Sequence, residues 1–413
     1  MQRNVRSVQK KKNNYKIAAR EMQVLMALEQ DPLGTYDELA QISGISKSVV
    51  FNILRKLERN ENESESFFRV VAHPNLLNLG LEVVDVISTI NNRNQLLNLI
   101  KLGISHPYTI FQAFVYGASN GMLNQFRIPI GSGDKIQSLF SILKKEKQIE
   151  DFTFHQFNPK VLYTTTKVSK WDPETNSWEF SWENWFEAEI SQNPNTKINL
   201  STVYPINTGK SKKWIKQKDL AILSELTANT RRKNLDIMDS LKKKNKKYEF
   251  TPQTFGRHLK RVSDECISNH RVFFHELESD QTNGILIQGY VSPTKIKQLI
   301  RRIKNIEIPF TSTFKYNETE IHWFMKLPAS KIHTLLPRLL YFVKDMRFYT
   351  VDTNSAYVYL LYPETFDEEK RNWRQSEQFM VKNILDEMNT PDFFREQEKQ
   401  KIYNVFGRKK MYL

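Results

Sequence analysis

The sequence predicts an α+β protein in which two winged helix-turn-helix domains alternate with two ferredoxin-like (βαββαβ) domains. Three observations predict it. A short basic helix occurs twice, at Ser46–Leu57 and Thr251–Val262, about 205 residues apart. Each copy follows two shorter helical patterns, in helix-turn-helix order. Each is followed by runs whose hydrophobic period changes from helical to strand-like and back in the order βαββαβ.

Residues 1–14 carry Arg3, Arg6, Lys10, Lys11 and Lys12 and no acid, which reads as a basic arm. In the first winged helix-turn-helix, 15–72, Ile17, Val24, Leu25 and Leu28 mark the opening helix. Asp31-Pro32-Leu33-Gly34 breaks it. Thr35 with Glu38 three residues on forms a capping box, because each side chain can satisfy a backbone N–H that a helix start leaves bare. Gly44 supplies the turn, and residues 61–72 are expected to form a hairpin wing.

The first ferredoxin-like domain, 73–165, reads as strand 81–87, helix 95–102, strands 108–116 and 122–128 around Gly117-Ala118-Ser119-Asn120-Gly121, helix 135–144 and strand 151–157. Residues 166–212 form a Trp-rich hairpin and linker; its Glu174, Glu179, Glu183, Glu187 and Glu189 disfavour phosphate, so the indoles are expected to pack on a neighbouring domain. The series restarts with a second winged helix-turn-helix, 213–272, where Asn234 is the expected cap of the middle helix and 242–247 an insertion in the turn. A second ferredoxin-like domain, 273–363, and a helical C-terminal extension, 364–413, complete the chain.

The 413 residues carry 61 Lys plus Arg against 46 Asp plus Glu, a formal net charge of +15, so a polyanion is the expected partner. The imbalance is local: residues 210–262 hold 16 basic and 5 acidic groups, a net +11, whereas 15–60 hold 6 of each. One cysteine, Cys266, excludes an intrachain disulfide and a cysteine metal cluster and suits a reducing compartment. The N-terminus lacks the apolar stretch of a secretory signal and no run is long enough to span a bilayer, so the expected location is cytoplasmic, with no membrane partner.

The helix-turn-helix followed by βαββαβ resembles the Lrp/AsnC (feast/famine) regulators, here in tandem. The resemblance rests on Asp219–Arg231, on Ile45-Ser46 with Val50 and Leu57, and on Val115-Tyr116-Gly117. It implies a regulator of transcription that binds double-stranded DNA, is not an enzyme, and associates through its ferredoxin-like sheets as a pseudo-dimer or homodimer. The DNA-contacting residues would be Lys47, Ser48, Asn52, Arg55 and Lys56 in the first copy and Gln253, Thr254, Arg257, Lys260 and Arg261 in the second, with Lys242, Lys243, Lys244, Lys246 and Lys247 on phosphates. An effector, of unknown identity, would sit at Gly117, Ser119, Asn120 and Gly121. No cofactor and no metal are expected.

Two other readings remain open. One is an architectural or RNA-binding protein using the same surfaces. The other is a tetrapyrrole (siroheme-type) decarboxylase, because some haem-pathway decarboxylases share this architecture and would use His and Arg in the sheet cleft. His106, His155 and His322 are the residues it would draw on. They show no metal spacing and no paired acid or base in the sequence, so each reads as structural or surface. There is no phosphate loop, HExxH or nucleophile elbow.

Overall fold

The computed structural model describes residues 17–58, 66–172, 174–175, 177–190, 198–200, 208–274, 283–353 and 355–390. The basic arm, residues 61–65 of the expected wing and the chain beyond 390 lie outside them.

The first three helices are α1 (Ala19–Gln30), α2 (Tyr36–Ser43) and α3 (Lys47–Glu58). Thr35 caps α2: its Oγ1 accepts from Glu38 N–H at 3.3 Å, and the Glu38 carboxylate accepts from Thr35 N–H at 2.7 Å. Gly44, at φ 68°, ends α2 in the left-handed region, where a Cβ would be strained. Val50, Leu54 and Leu57 bury one face of α3, as their spacing requires.

Strand β1 (Phe68–Pro74) and the short α4 (Leu76–Leu79) lead into the first sandwich: β2 (Leu81–Thr89), α5 (Arg93–Ser105), β3 (Thr109–Gly117), β4 (Gly121–Pro129), α6 (Gly133–Lys145) and β5 (Asp151–Phe157). Strand β6 (Leu162–Thr164) ends this domain, and the pair β7 (Trp171–Asp172) and β8 (Ser177–Trp178) and α7 (Trp182–Glu187) lie in the linker. The second half repeats this with α8 (Gln217–Ala228), α9 (Asn234–Lys244), α10 (Pro252–Cys266), β9 (Ile267–Phe274), β10 (Asn283–Tyr290), α11 (Pro293–Asn305), β11 (Ser312–Tyr316), β12 (Glu320–Leu327), α12 (Ala329–Leu339) and β13 (Lys344–Val351). Then come β14 (Tyr357–Val358), β15 (Phe366–Asp367), β16 (Asn372–Trp373) and α13 (Asn383–Met388).

The α+β alternation holds. Each sandwich has the strand order of a βαββαβ unit, β5-β2-β4-β3 and β13-β10-β12-β11, and the two join edge to edge through β3 and β13. Tyr349 faces Gly117 and Val351 faces Val115 across that seam. At the opposite edge Asn158 N–H donates to the Tyr316 carbonyl at 2.8 Å, so the sheet folds back on itself with its helix-free faces opposed. The chain after each fourth strand then covers an edge of the other half: β6 pairs β11, and β14 pairs β3. Within one chain this is a pseudo-dimer.

Three expectations change, and the halves interlock. The wing is no hairpin among the described residues: β1 pairs instead with β9, Phe68 opposite Phe274 and Val71 opposite Arg271, joining the two halves. Each helix-turn-helix rests on the other half's sandwich. One core joins Val24, Leu28 and Leu54 to Ile285, Leu299 and Trp323, and another joins Leu220, Leu223 and Phe255 to Val84, Leu99 and Leu139. Lys233, not Asn234, stands at the cap of α9. The lysine run is no loop insertion: Lys242–Lys244 close α9, and Lys246 and Lys247 start a single 3₁₀ turn.

The Trp-rich linker packs, as expected of it. Trp182 and Trp185 are buried at 5.5 Å from each other and about 6 Å from Trp323, with acids turned outward. Among the described residues no helix is long and apolar enough to cross a membrane.

Candidate active site

The helices and the sheet place a cavity of about 240 Å³ between the β1–β9 ribbon and the opposed sheets. Five cationic side chains line it: Arg69 from β1, Arg127 from β4, Arg271 from β9, Lys315 from β11 and Lys326 from β12. No carboxylate is among the lining residues. The remaining wall is largely apolar and aromatic, with Phe111, Tyr163, Phe273, Phe324 and Tyr359. Arg127 and Lys326 occupy matching register positions in the two halves, opposite Val83 and Gly284 respectively.

Packing fixes these groups. The Arg271 guanidinium lies 4.1 Å from the Phe273 ring and 5.2 Å from Tyr163, and Nη1 donates to the Thr164 and Ser312 carbonyls at 3.2 Å. His73 stacks on Tyr163 at 4.1 Å. Burial, then Arg271 and Arg127, hold the His73 pKa well below its ordinary value, so this imidazole is neutral. Arg127 has no carboxylate partner among the described residues, and burial lowers its pKa. Leaving an arginine without a counter-charge is costly, and an anion entering the cavity would relieve that cost.

Behind Lys315 lies a buried polar network. Lys315 Nζ donates to Asp85 Oδ1 at 2.6 Å; His322 Nδ1 stands 3.1 Å and Gln125 Nε2 3.3 Å from Asp85 Oδ2. His155 Nδ1 lies 2.8 Å from Glu320, and Gln288 Nε2 lies 3.2 Å from both His155 Nε2 and Glu320 Oε1. Burial alone would raise the Asp85 pKa, but the Lys315 ammonium and His322 outweigh it and bring it down to about 2. Burial lowers the Lys315 pKa against the opposing pull of Asp85. Lys315 and Gln125 also line the cavity, so the network opens onto it.

The reading of His155 and His322 as lone histidines that could lie on the surface, without a paired acid, is therefore corrected: both are buried and grouped with carboxylates. They lie far apart in sequence, but β5 and β12 bring their rings to 4.5 Å, beside two carboxylates. His106 lies apart from them, beside the second cavity: its Nδ1 accepts from Tyr108 N–H at 3.3 Å, and burial takes its pKa down to about 3. The residues missed were Asp85, Lys315, Glu320, Gln288 and the arginines. A usable signal was present, since Asp85 and Lys315 are charges inside apolar strand patterns.

The DNA-contact residues Lys47, Ser48, Asn52, Arg55, Lys56, Gln253, Arg257, Lys260 and Arg261 are exposed on α3 and α10, and Thr254 is half-buried. Lys243 and Lys246 are exposed as well. Six of the fifteen are engaged with carboxylates: Lys47 with Asp37, Lys56 with Glu21, Lys242 with Glu249, Lys244 with Glu225, Lys247 with Glu364 and Arg261 with Glu265. Double-stranded DNA as partner, and a regulator that is not an enzyme, are corrected by the interior. Cations that neutralise phosphates must face outward; here five line an interior cavity, with a His–Glu–His cluster behind them. The effector residues Gly117, Ser119, Asn120 and Gly121 form the β3–β4 hairpin and line neither this cavity nor a second one of about 700 Å³. Close strand approach accounts for the glycines: a Cβ on Gly117 would meet the Phe348 carbonyl at 2.6 Å, and one on Gly121 the Ser88 carbonyl at 1.7 Å.

No family model and no curated protein matches the chain. Among solved structures, the siroheme decarboxylase NirDL covers 89% of this chain and 98% of its own at 10% identity and a TM-score of 0.47. The same enzyme with an iron-uroporphyrin III analogue covers 81% and 91%, at 10% identity and 0.45. An AsnC family transcriptional regulator from Agrobacterium tumefaciens covers 34% of this chain and 88% of its own, at 15% identity and 0.25. The Lrp/AsnC resemblance is corrected accordingly: the regulator covers 34% of this chain and the decarboxylase 89%.

Proposed function

We propose that the chain is an enzyme that binds a carboxylate-bearing tetrapyrrole in the central cavity and removes carboxyl groups from it as CO2. The observation that carries this reading is the convergence of Arg69, Arg127, Arg271, Lys315 and Lys326 on an aromatic-walled cavity without an acid. Such a lining complements a ligand that is flat and apolar in body and anionic at its rim. Siroheme and uroporphyrin, named with the decarboxylase of similar layout, belong to that class.

The space sets a condition. About 240 Å³ is below the roughly 300–1,000 Å³ of pockets that enclose whole small molecules. Tyr359 and Leu360 line both this cavity and the second one. In this reading the cations hold the carboxylate edge, and displacement of Tyr359–Leu360 admits the rest of the macrocycle.

Loss of CO2 from a ring-bound acetate leaves its electron pair with the ring system, and a proton must replace the carboxyl group, giving methyl plus CO2. Lys315 is the proposed proton donor: the residue lines the cavity, and Asp85 holds its ammonium in place. The arginines fix the carboxylates and orient the arm that reacts.

The test is titration of the full chain with iron-uroporphyrin, followed by the Soret band and by mass spectrometry of the product. Binding and loss of CO2 are expected, with binding weakened in Arg127→Ala and turnover lost in Lys315→Met. A chain that neither shifts the Soret band nor releases CO2, or an Arg127→Ala variant that binds as well as the parent, would sink the reading.

A further inference from the structure

We propose that His155, Glu320 and His322 form a binding site for one divalent transition-metal ion. One ligand atom of each lies within 4.8 Å of the other two, and His155 and His322 are buried.

Three further observations point to a cation. The first is the His322 tautomer. Asp85 Oδ2 accepts at Nδ1, which places the proton there and leaves a lone pair on Nε2. That Nε2 is buried and has no hydrogen-bond partner. A carboxylate behind one imidazole nitrogen, with the other nitrogen bare, is how proteins orient histidine ligands.

The second is charge. Lys315 matches Asp85, but no lysine or arginine among the described residues pairs with Glu320, whose partners are His155 and Gln288. The Glu320 carboxylate is thus left without a lysine or arginine counter-charge, which a metal ion would supply.

The third is Gln288. Its Oε1 is buried without a partner while its Nε2 faces His155 and Glu320. Turning the amide over exchanges the two atoms and brings an oxygen donor to the cluster. Two imidazoles, a carboxylate and an amide oxygen suit Zn²⁺, Co²⁺, Ni²⁺ or Fe²⁺ better than Mg²⁺ or Ca²⁺, which prefer all-oxygen shells.

The test needs no tetrapyrrole, so it stands or falls separately from the proposed reaction. The full chain is dialysed against chelator, reloaded with Zn²⁺ or Co²⁺, freed of excess and analysed for metal. About one ion per chain is expected, with visible d–d bands for Co²⁺. His322→Gln and Glu320→Gln are expected to lower affinity by at least about tenfold, and Asp85→Asn by about ten- to a hundredfold. Glu320→Gln keeps the shape of a side chain at the edge of the cluster and serves if His322→Gln does not fold, as checked by near-UV circular dichroism. A parent chain that retains no ion, or a folded Glu320→Gln variant that retains as much as the parent, overturns the proposal.

Discussion

The two ends of the folded-over sheet are built from matching positions and filled with opposite chemistry. At one end stand Asp85, His155, Gln288, Lys315 and His322. Strand register carries these to Leu286, Tyr349, Ile87, Ala113 and Leu123 at the other. Asp85 pairs with His155 as Leu286 pairs with Tyr349; Gln288 pairs with His322 as Ile87 pairs with Leu123. The second set forms a compact apolar cluster, with Val115 and Val351. The fold therefore does not need polar groups at these positions. A hydrocarbon filling is the inexpensive solution, and the charged filling carries a desolvation penalty that packing does not require. In the proposed function that contrast assigns the chemistry to one end and leaves the other to packing.

Breaking the contrast at a single position should have the largest effect. Leu286→Asp places an unpaired carboxylate in the apolar end, and Asp85→Leu strands the Lys315 ammonium at the polar end. Each is expected to cost about 3–5 kcal/mol in urea unfolding. Restoring consistency should reverse much of this. Asp85→Leu combined with Lys315→Ala copies the apolar end and should be more stable than Asp85→Leu alone by about 2 kcal/mol or more, while CO2 release stays abolished. A double variant as unstable as the single one would mean that the polar set is structural after all.

The cavity lies between the two halves and draws on both. Arg127→Ala and Lys326→Ala, at matching register, should each weaken tetrapyrrole binding by about ten- to a hundredfold, the range expected for loss of one charged hydrogen bond. A large effect from only one of them would assign the carboxylate edge to one half.

The smallest effect concerns α1 against its counterpart α8. Glu29, near the end of α1, accepts from the Val168 N–H at 2.7 Å, and burial pushes its pKa from 4.5 up to about 7. At the matching place in α8 stands Thr227, which lines the cavity. For an acid whose folded pKa is raised, the folded state holds its proton longer. Stability is then full below about pH 4.5 and falls as pH rises towards about 7, by no more than about 2 kcal/mol for this partly exposed group. Glu29→Gln should remove that slope from a series of melts; a slope left unchanged would assign it to another group.

Several parts of this were legible in the chain. Periodicity and caps placed the helices, and alternation placed the strands of both sandwiches to within a few residues, because those signals are local. The duplication was legible for the same reason. Exposure of α3 and α10 was correctly read, but not their significance: a basic helix face looks alike on a regulator and on a protein whose chemistry lies elsewhere. The pairing of His155 with Glu320, and of Asp85 with Lys315 some 230 positions away, left no local trace.

By itself, the sequence determined the elements, their order and their repetition, since helix and strand preferences act over a few residues. Only the tertiary structure decided that the halves close on each other, that each helix-turn-helix crosses to the opposite sandwich, and that five cations and a polar network meet inside. Those outcomes depend on which strand edges pair, and edge pairing is a contest between distant segments that no short window of residues records.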